Sequence, residues 1–278
     1  MIVRTSITRG WQSMKEQFYI LILLFIYRLL WGYFMYGFIR SAIIPILLRY
    51  PDKDAGGSGM GRLLYYIEGQ FSLNTDPAIR TWLWMLLALV VLRLLLSPFI
   101  RAGLLHELHQ ERKGERGLFF FPGMKIYGLP VLVFSLIEWV LTLLPLYWLA
   151  PKMYGLFLSS LFNYALLLHL VPYVLAWLIY IFIVRLFLLY MQFGYTGGTG
   201  MFSSLIICLR SLIPAIGVSI VLGAGGLLLL LVCGLTGLFC PGLPALIIRQ
   251  ISPLPSTLLK MWGISAQYHL WRSKAFPQ

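Results

Sequence analysis

Long apolar runs separated by short polar stretches dominate the chain, and the length of those runs carries the first inference. A bilayer core of roughly 30 Å takes about 20 apolar residues as a helix, because every backbone amide there must find its partner within the segment. The pattern predicts six crossings. They lie within Phe18 to Leu48, from Trp82 to Ile100, from Tyr127 to Leu149, within Tyr154 to Gln192, from Ile213 to Val232 and from Leu235 to Ile248. The first and fourth runs exceed a perpendicular span, so each is expected to include an interfacial turn or a kink, at Pro45 and Pro172. The last is short and carries Pro241, Gly242 and Pro244, which suits a re-entrant or broken helix as well as a span.

A helical period shows at the approaches to the runs. Ile7, Trp11, Met14 and Phe18 recur at the spacing of a helix lying on a membrane surface. Before the fifth run, Phe202, Leu205, Ile206 and Leu209 share a face, while Ser203, Ser204 and Arg210 lie away from it. A rougher stripe of Leu258, Trp262, Ala266 and Leu270 follows the sixth. Gly117-Leu118-Phe119 leads through Lys125 to Pro130 much as Gly200-Met201-Phe202 leads through Arg210 to Pro214. Unit starts near residues 7, 117 and 201 are unevenly spaced, however, and any entry to a span collects such residues. The expected fold is all-α: a polytopic helical membrane bundle of about six transmembrane helices with amphipathic interfacial helices, forming a single domain over residues 1–278.

Composition strengthens this reading. Of 278 residues, 60% are hydrophobic and 11% charged, with a mean hydropathy of +0.84. A single water-soluble core cannot hide that much apolar surface. Three cysteines are too few for a disulfide scaffold. Cys233 and Cys240 could meet, but apolar packing is the commoner state of such thiols.

The formal charge of +13 is distributed unevenly, and this sets orientation. Arg49, Lys53, Arg62, Arg80 and Lys152 fall on one side. Arg28, Arg40, Arg93 and Arg185 lie inside or near spans, and the remaining Lys and Arg collect on the other side with both termini. Both termini are therefore expected in the cytoplasm of a bacterial cell, with the plasma membrane as location. Trp82, Trp84 and Trp148 fall at outer span ends, and Trp11, Trp262 and Trp271 on the inner side, at headgroup level. Met1 to Gln17 is polar and amphipathic, and the apolar run after it lacks a small-residue cleavage site, so the first span is expected to be retained. Positive-inside bias accounts for the charge without nucleic acid. The inner face is expected to bind anionic lipids through Arg112, Lys113, Arg116, Lys260 and Arg272.

With its amphipathic entries and the segment Ser97-Pro98-Phe99-Ile100-Arg101-Ala102-Gly103 after the second span, the chain resembles a loose group of six-span bacterial membrane proteins. The group includes the membrane domain attached to some glycerophosphodiester phosphodiesterases. The resemblance implies architecture only, since this chain has no room for the phosphodiesterase barrel.

Candidate chemistry is sparse. Glu138, about halfway through the third span, is the acidic residue expected within the bilayer, where an ionisable group is costly. It suits a proton-coupling carboxylate, or a structural partner of Arg28 or Arg93, which enter from the inner side. Arg185 reads as a snorkelling anchor. His169 and Asn163 could line a polar cavity, though hydrogen bonding between helices is the plainer reading. Gly217, Gly223, Gly225 and Gly226 would permit close helix approach. His106-Glu107-Leu108-His109-Gln110-Glu111 lacks the i, i+4 histidines of a zinc helix and reads as a solvated cytoplasmic loop. Asp54 to Gly61 has neither the lysine of a phosphate loop nor a membrane-embedded serine, and reads as a linker. No catalytic set, metal site or cofactor is read from the chain. The expectation is a non-enzymatic membrane subunit or scaffold that acts with lipids, a membrane-protein partner or copies of itself. A transporter or channel using Glu138 is the alternative, and an intramembrane enzyme ranks behind both.

Overall fold

In an apolar surrounding the only backbone solution for a single segment is the helix, and most of the described residues take it. The computed structural model describes residues 2–40, 77–113, 119–160, 168–239 and 253–276. In chain order the described helices are α1 (Ile2–Glu16), α2 (Phe18–Phe38), α3 (Pro77–Lys113), α4 (Phe120–Ser160), α5 (Val171–Thr196), α6 (Met201–Arg210), α7 (Leu212–Phe239) and α8 (Pro253–Ala275). Among the described residues five segments, within α2, α3 and α4, from Leu168 through α5, and within α7, are long and apolar enough to cross a membrane. Buried residues make up only 6% of the best apolar window in α3 and 22% of that in α4, so these surfaces need an apolar environment that the protein itself does not supply. The chain is thus compatible with a multi-pass helical membrane protein.

Several expected boundaries move. The second span is the middle of a 37-residue helix, and Pro98 lies inside α3 rather than in a turn after it. The third span lies within the 41 residues of α4, which continues through Pro151 and Lys152 to Ser160. The fourth run is therefore not one bent helix: its first residues end α4, and Pro172 sits in the first turn of α5. There its missing N–H removes no intrahelical bond. Residues 235–239 of the sixth run extend α7 without a break, and the rest of that run lies outside the described residues. So do Pro45, Cys240 and the 54–61 linker.

The chain divides into two compact units. One comprises Met1–Phe34, Phe99–Val131 and Leu186–Gln278, and the other Met35–Pro98 and Leu132–Arg185. In the first, α8 is the hub. Ile7 meets Trp262, Gly10 meets Ala266 and Ser13 meets His269, so α1 runs parallel to α8. Gly225 meets Leu259, Leu222 meets Gly263 and Ala215 meets Gln267, so α7 runs antiparallel to it. The close approach of α1 requires glycine at position 10, where a Cβ would stand 2.7 Å from the Ala266 backbone nitrogen.

These contacts overturn the surface reading of two stripes. Met14 is buried, Ile7 and Trp11 pack on the core, and Ala266 and Leu270 are fully enclosed, so these positions face protein rather than headgroups, while Phe18 at the end of the first stripe is exposed. Trp11 and Trp262 pack at a tilt of 57° with ring centroids 4.9 Å apart, and Trp271 is buried, whereas Trp84 and Trp148 are exposed as interfacial anchors should be. The α6 stripe differs. Phe202, Ile206 and Leu209 are exposed while Ser204 and Cys208 are buried, the pattern of a helix lying on a membrane surface. Among the α7 glycines, Gly217 approaches Val3 and Gly225 approaches Leu259, but Gly223 and Gly226 face open space.

Candidate functional site

Polar groups in apolar helices need partners, and in the second unit they find them across one helix pair. Trp177 Nε1 donates to the Thr142 carbonyl at 3.3 Å, Tyr180 Oη donates to the Leu141 carbonyl at 3.1 Å, and Arg185 Nε donates to Glu138 Oε1 at 2.9 Å. Positions on α5 rise as those on α4 fall, so these are three successive rungs between antiparallel helices. The partner shown for Glu138 is therefore Arg185, which the sequence reads as a snorkelling anchor. The Glu138 side chain is 10% exposed and that of Arg185 66% exposed, so the pair joins an enclosed carboxylate to a guanidinium at the protein surface.

Three of the other intramembrane candidates fall among the described residues. Arg28 lies in the first unit and donates to the hydroxyls of Ser256 and Thr257 on α8, the latter at 3.5 Å. Arg93 is exposed on α3 in the second unit. His169 is exposed just before α5, so no interhelical hydrogen bond from it forms among the described residues. Asn163 lies outside the described residues.

The densest polar chemistry gathers in the first unit, where the sequence suggested a loop. Residues 106–111 continue α3 as helix, with His106, Glu107 and Leu108 buried. The Tyr19 side chain lies against Glu107, whose Oε2 has no hydrogen-bond partner among the described residues. Gln17 Nε2 donates to Glu111 Oε2 at 2.5 Å, fixing the α1–α2 junction against the end of α3. Ser13 Oγ and His269 Nε2 are 2.8 Å apart. Gln267, buried on α8, ties three elements together: it accepts from Tyr190 Oη at 2.9 Å and donates to the Ala215 carbonyl at 2.8 Å and to Ser219 Oγ at 2.9 Å. Gln192 is fully buried with neither amide atom paired among the described residues. Cys208, also enclosed, has its thiol pushed up to about 12 by burial.

The last turns of α8 form a pocket of about 330 Å³ lined by His109, Gly197, Tyr268, Trp271, Arg272 and Phe276. Its walls are fixed. His109 Nδ1 is 3.2 Å from Tyr268 Oη, Trp271 Nε1 donates to Ser204 Oγ at 3.1 Å, and Phe193 packs against Tyr268 and Trp271 with centroids at 5.4 and 5.9 Å. A Cβ at Gly197 would lie 2.7 Å from the Trp271 ring, so glycine is what lets the indole close that wall. Among the expected headgroup contacts, Arg272 lines this pocket and Lys260 is exposed on α8. Arg112 and Lys113 end α3, and Arg116 lies outside the described residues.

Sequence reasoning placed His106 and Glu107 in a solvated loop and missed Gln267 and Tyr268. Ala102, Leu104, Leu105 and Leu108, all buried, were the available signal that α3 keeps an inward face past its apolar run. No family model, no curated protein and no solved structure matches the chain, so its reading rests on these residues.

Proposed function

We propose that the protein is a non-enzymatic integral membrane subunit or scaffold of the bacterial cytoplasmic membrane, acting with anionic lipids, a protein partner or further copies of itself. The observation that carries this reading is the place of Glu138 in the α4–α5 ladder. The carboxylate expected deep in the bilayer is the third rung of a structural series and faces a guanidinium, so its charge is spent on joining two helices. Contact between α1 and α8 supports both ends on one side of the membrane, hence an even number of crossings, which six satisfies and five does not. The basic loops support the cytoplasm as that side. The likeness to six-span bacterial membrane proteins belongs to this proposal as well.

Proteoliposomes test it against the transporter reading. A folded wild type is expected to carry no proton or ion flux at any pH from 5 to 8, and Glu138→Gln is expected to lower stability. A pH-dependent flux that disappears in a folded Glu138→Gln variant contradicts the proposal and makes Glu138 a coupling site.

A further inference from the structure

We infer that the pocket at the C-terminal end of α8 binds a phosphate group, delivered by a phospholipid headgroup. The inference rests on the lipid-binding side of the proposed function and gives it a specific site. Arg272 is half-buried in the pocket wall, and its guanidinium forms no hydrogen bond or ion pair with any described residue. A guanidinium held at a pocket wall with no protein anion beside it is open to an anionic ligand, and its planar fork matches phosphate oxygens. Among the described residues no acidic side chain lines the pocket, while an imidazole and a phenol, His109 and Tyr268, share its wall. Trp271 and Phe276 supply the aromatic remainder, their centroids 6.4 Å apart, a composition suited to the boundary between headgroups and acyl chains.

Depth points to a lipid as the source. Gly197 belongs to the short connection that enters α6, and Ser204 of α6 holds the Trp271 indole. The opposite face of α6 exposes Phe202, Ile206 and Leu209. A helix with that face lies in the membrane surface, so the pocket next to it opens where phosphates are concentrated. Gly198 and Gly200, with φ of 74° and 91°, make the turn that brings α6 back beside the pocket.

The test uses the full chain in maltoside micelles, titrated with dihexanoyl-phosphatidylglycerol and, separately, with inorganic phosphate, binding being read by native mass spectrometry. Wild type is expected to bind the lipid, and Arg272→Gln to bind it about tenfold more weakly, as for loss of a charge-assisted hydrogen bond. Lys274→Gln, in the same last turn of α8 but outside the pocket, should change it less than twofold. Arg272→Lys, which keeps the charge but loses the fork, should fall between. Inorganic phosphate failing to compete at the same concentration supports the lipid as source. Competition at similar affinity, equally dependent on Arg272, keeps the phosphate site but overturns the lipid source. Equal lipid affinity in wild type and a folded Arg272→Gln variant overturns the site. That failure leaves the scaffold reading intact, whereas proteoliposome flux would sink the scaffold reading and leave the pocket untouched.

Discussion

Burying a thiol or an amide in this protein changes what solvent can do to it. Cys208 is enclosed by the first unit, and burial holds its thiol up to about 12, so almost no thiolate exists at neutral pH. Maleimide should therefore label Cys208 in a Cys233→Ser/Cys240→Ser background only on the timescale of unfolding. Labelling within minutes in folded protein, followed by intact mass, would contradict the enclosure. Gln267 shows the same logic for an amide: its three hydrogen bonds satisfy Tyr190, Ser219 and a carbonyl of α7 at once. Gln267→Leu removes all three and should cost about 2–4 kcal/mol, read as a lower thermal midpoint in micelles. These residues were hard to see in the sequence. A glutamine in a polar-looking C-terminal stretch announces nothing until the helix that carries it is enclosed on several sides. Glu138 was legible because depth alone makes a carboxylate conspicuous, but its partner was not, since Arg185 lies 47 positions away on another helix.

At the level of helices, apolar length was the reliable signal and polarity the misleading one. The runs in α2, α3, α4, α5 and α7 were all legible as candidate spans, because twenty apolar residues have few other places to go. Their ends were not. Helix α3 continues through His106 and Glu107 because Leu104, Leu105 and Leu108 give it an inward face against the first unit, so packing overrides the polar composition. Stripes were correctly located in α1, α6 and α8, but a stripe does not say whether lipid or protein covers it. For α1 and α8 the answer is each other. That pairing depends on Gly10, and Gly10→Leu should separate the helices and lower stability by about 1–3 kcal/mol, while Gly223→Leu, which faces open space, should change it little. Equal losses in the two variants, measured as unfolding midpoints, would remove the close approach from the account.

At the scale of the whole molecule, the described helices carry apolar faces suited to a bilayer, and two of their arginines are turned toward polar partners on other helices. Arg28 meets hydroxyls of α8, and Glu138 meets Arg185. That economy of charge is the central claim, and a double-mutant cycle on the second pair, made in nanodiscs, tests it most directly. Glu138→Gln and Arg185→Gln are each expected to lower the unfolding midpoint. The double variant is expected to recover much of the loss, with a coupling of about 1 kcal/mol or more, because removing both charges leaves neither one stranded. Losses that simply add, or single variants as stable as wild type, would contradict the claim that this carboxylate serves to hold the helices together.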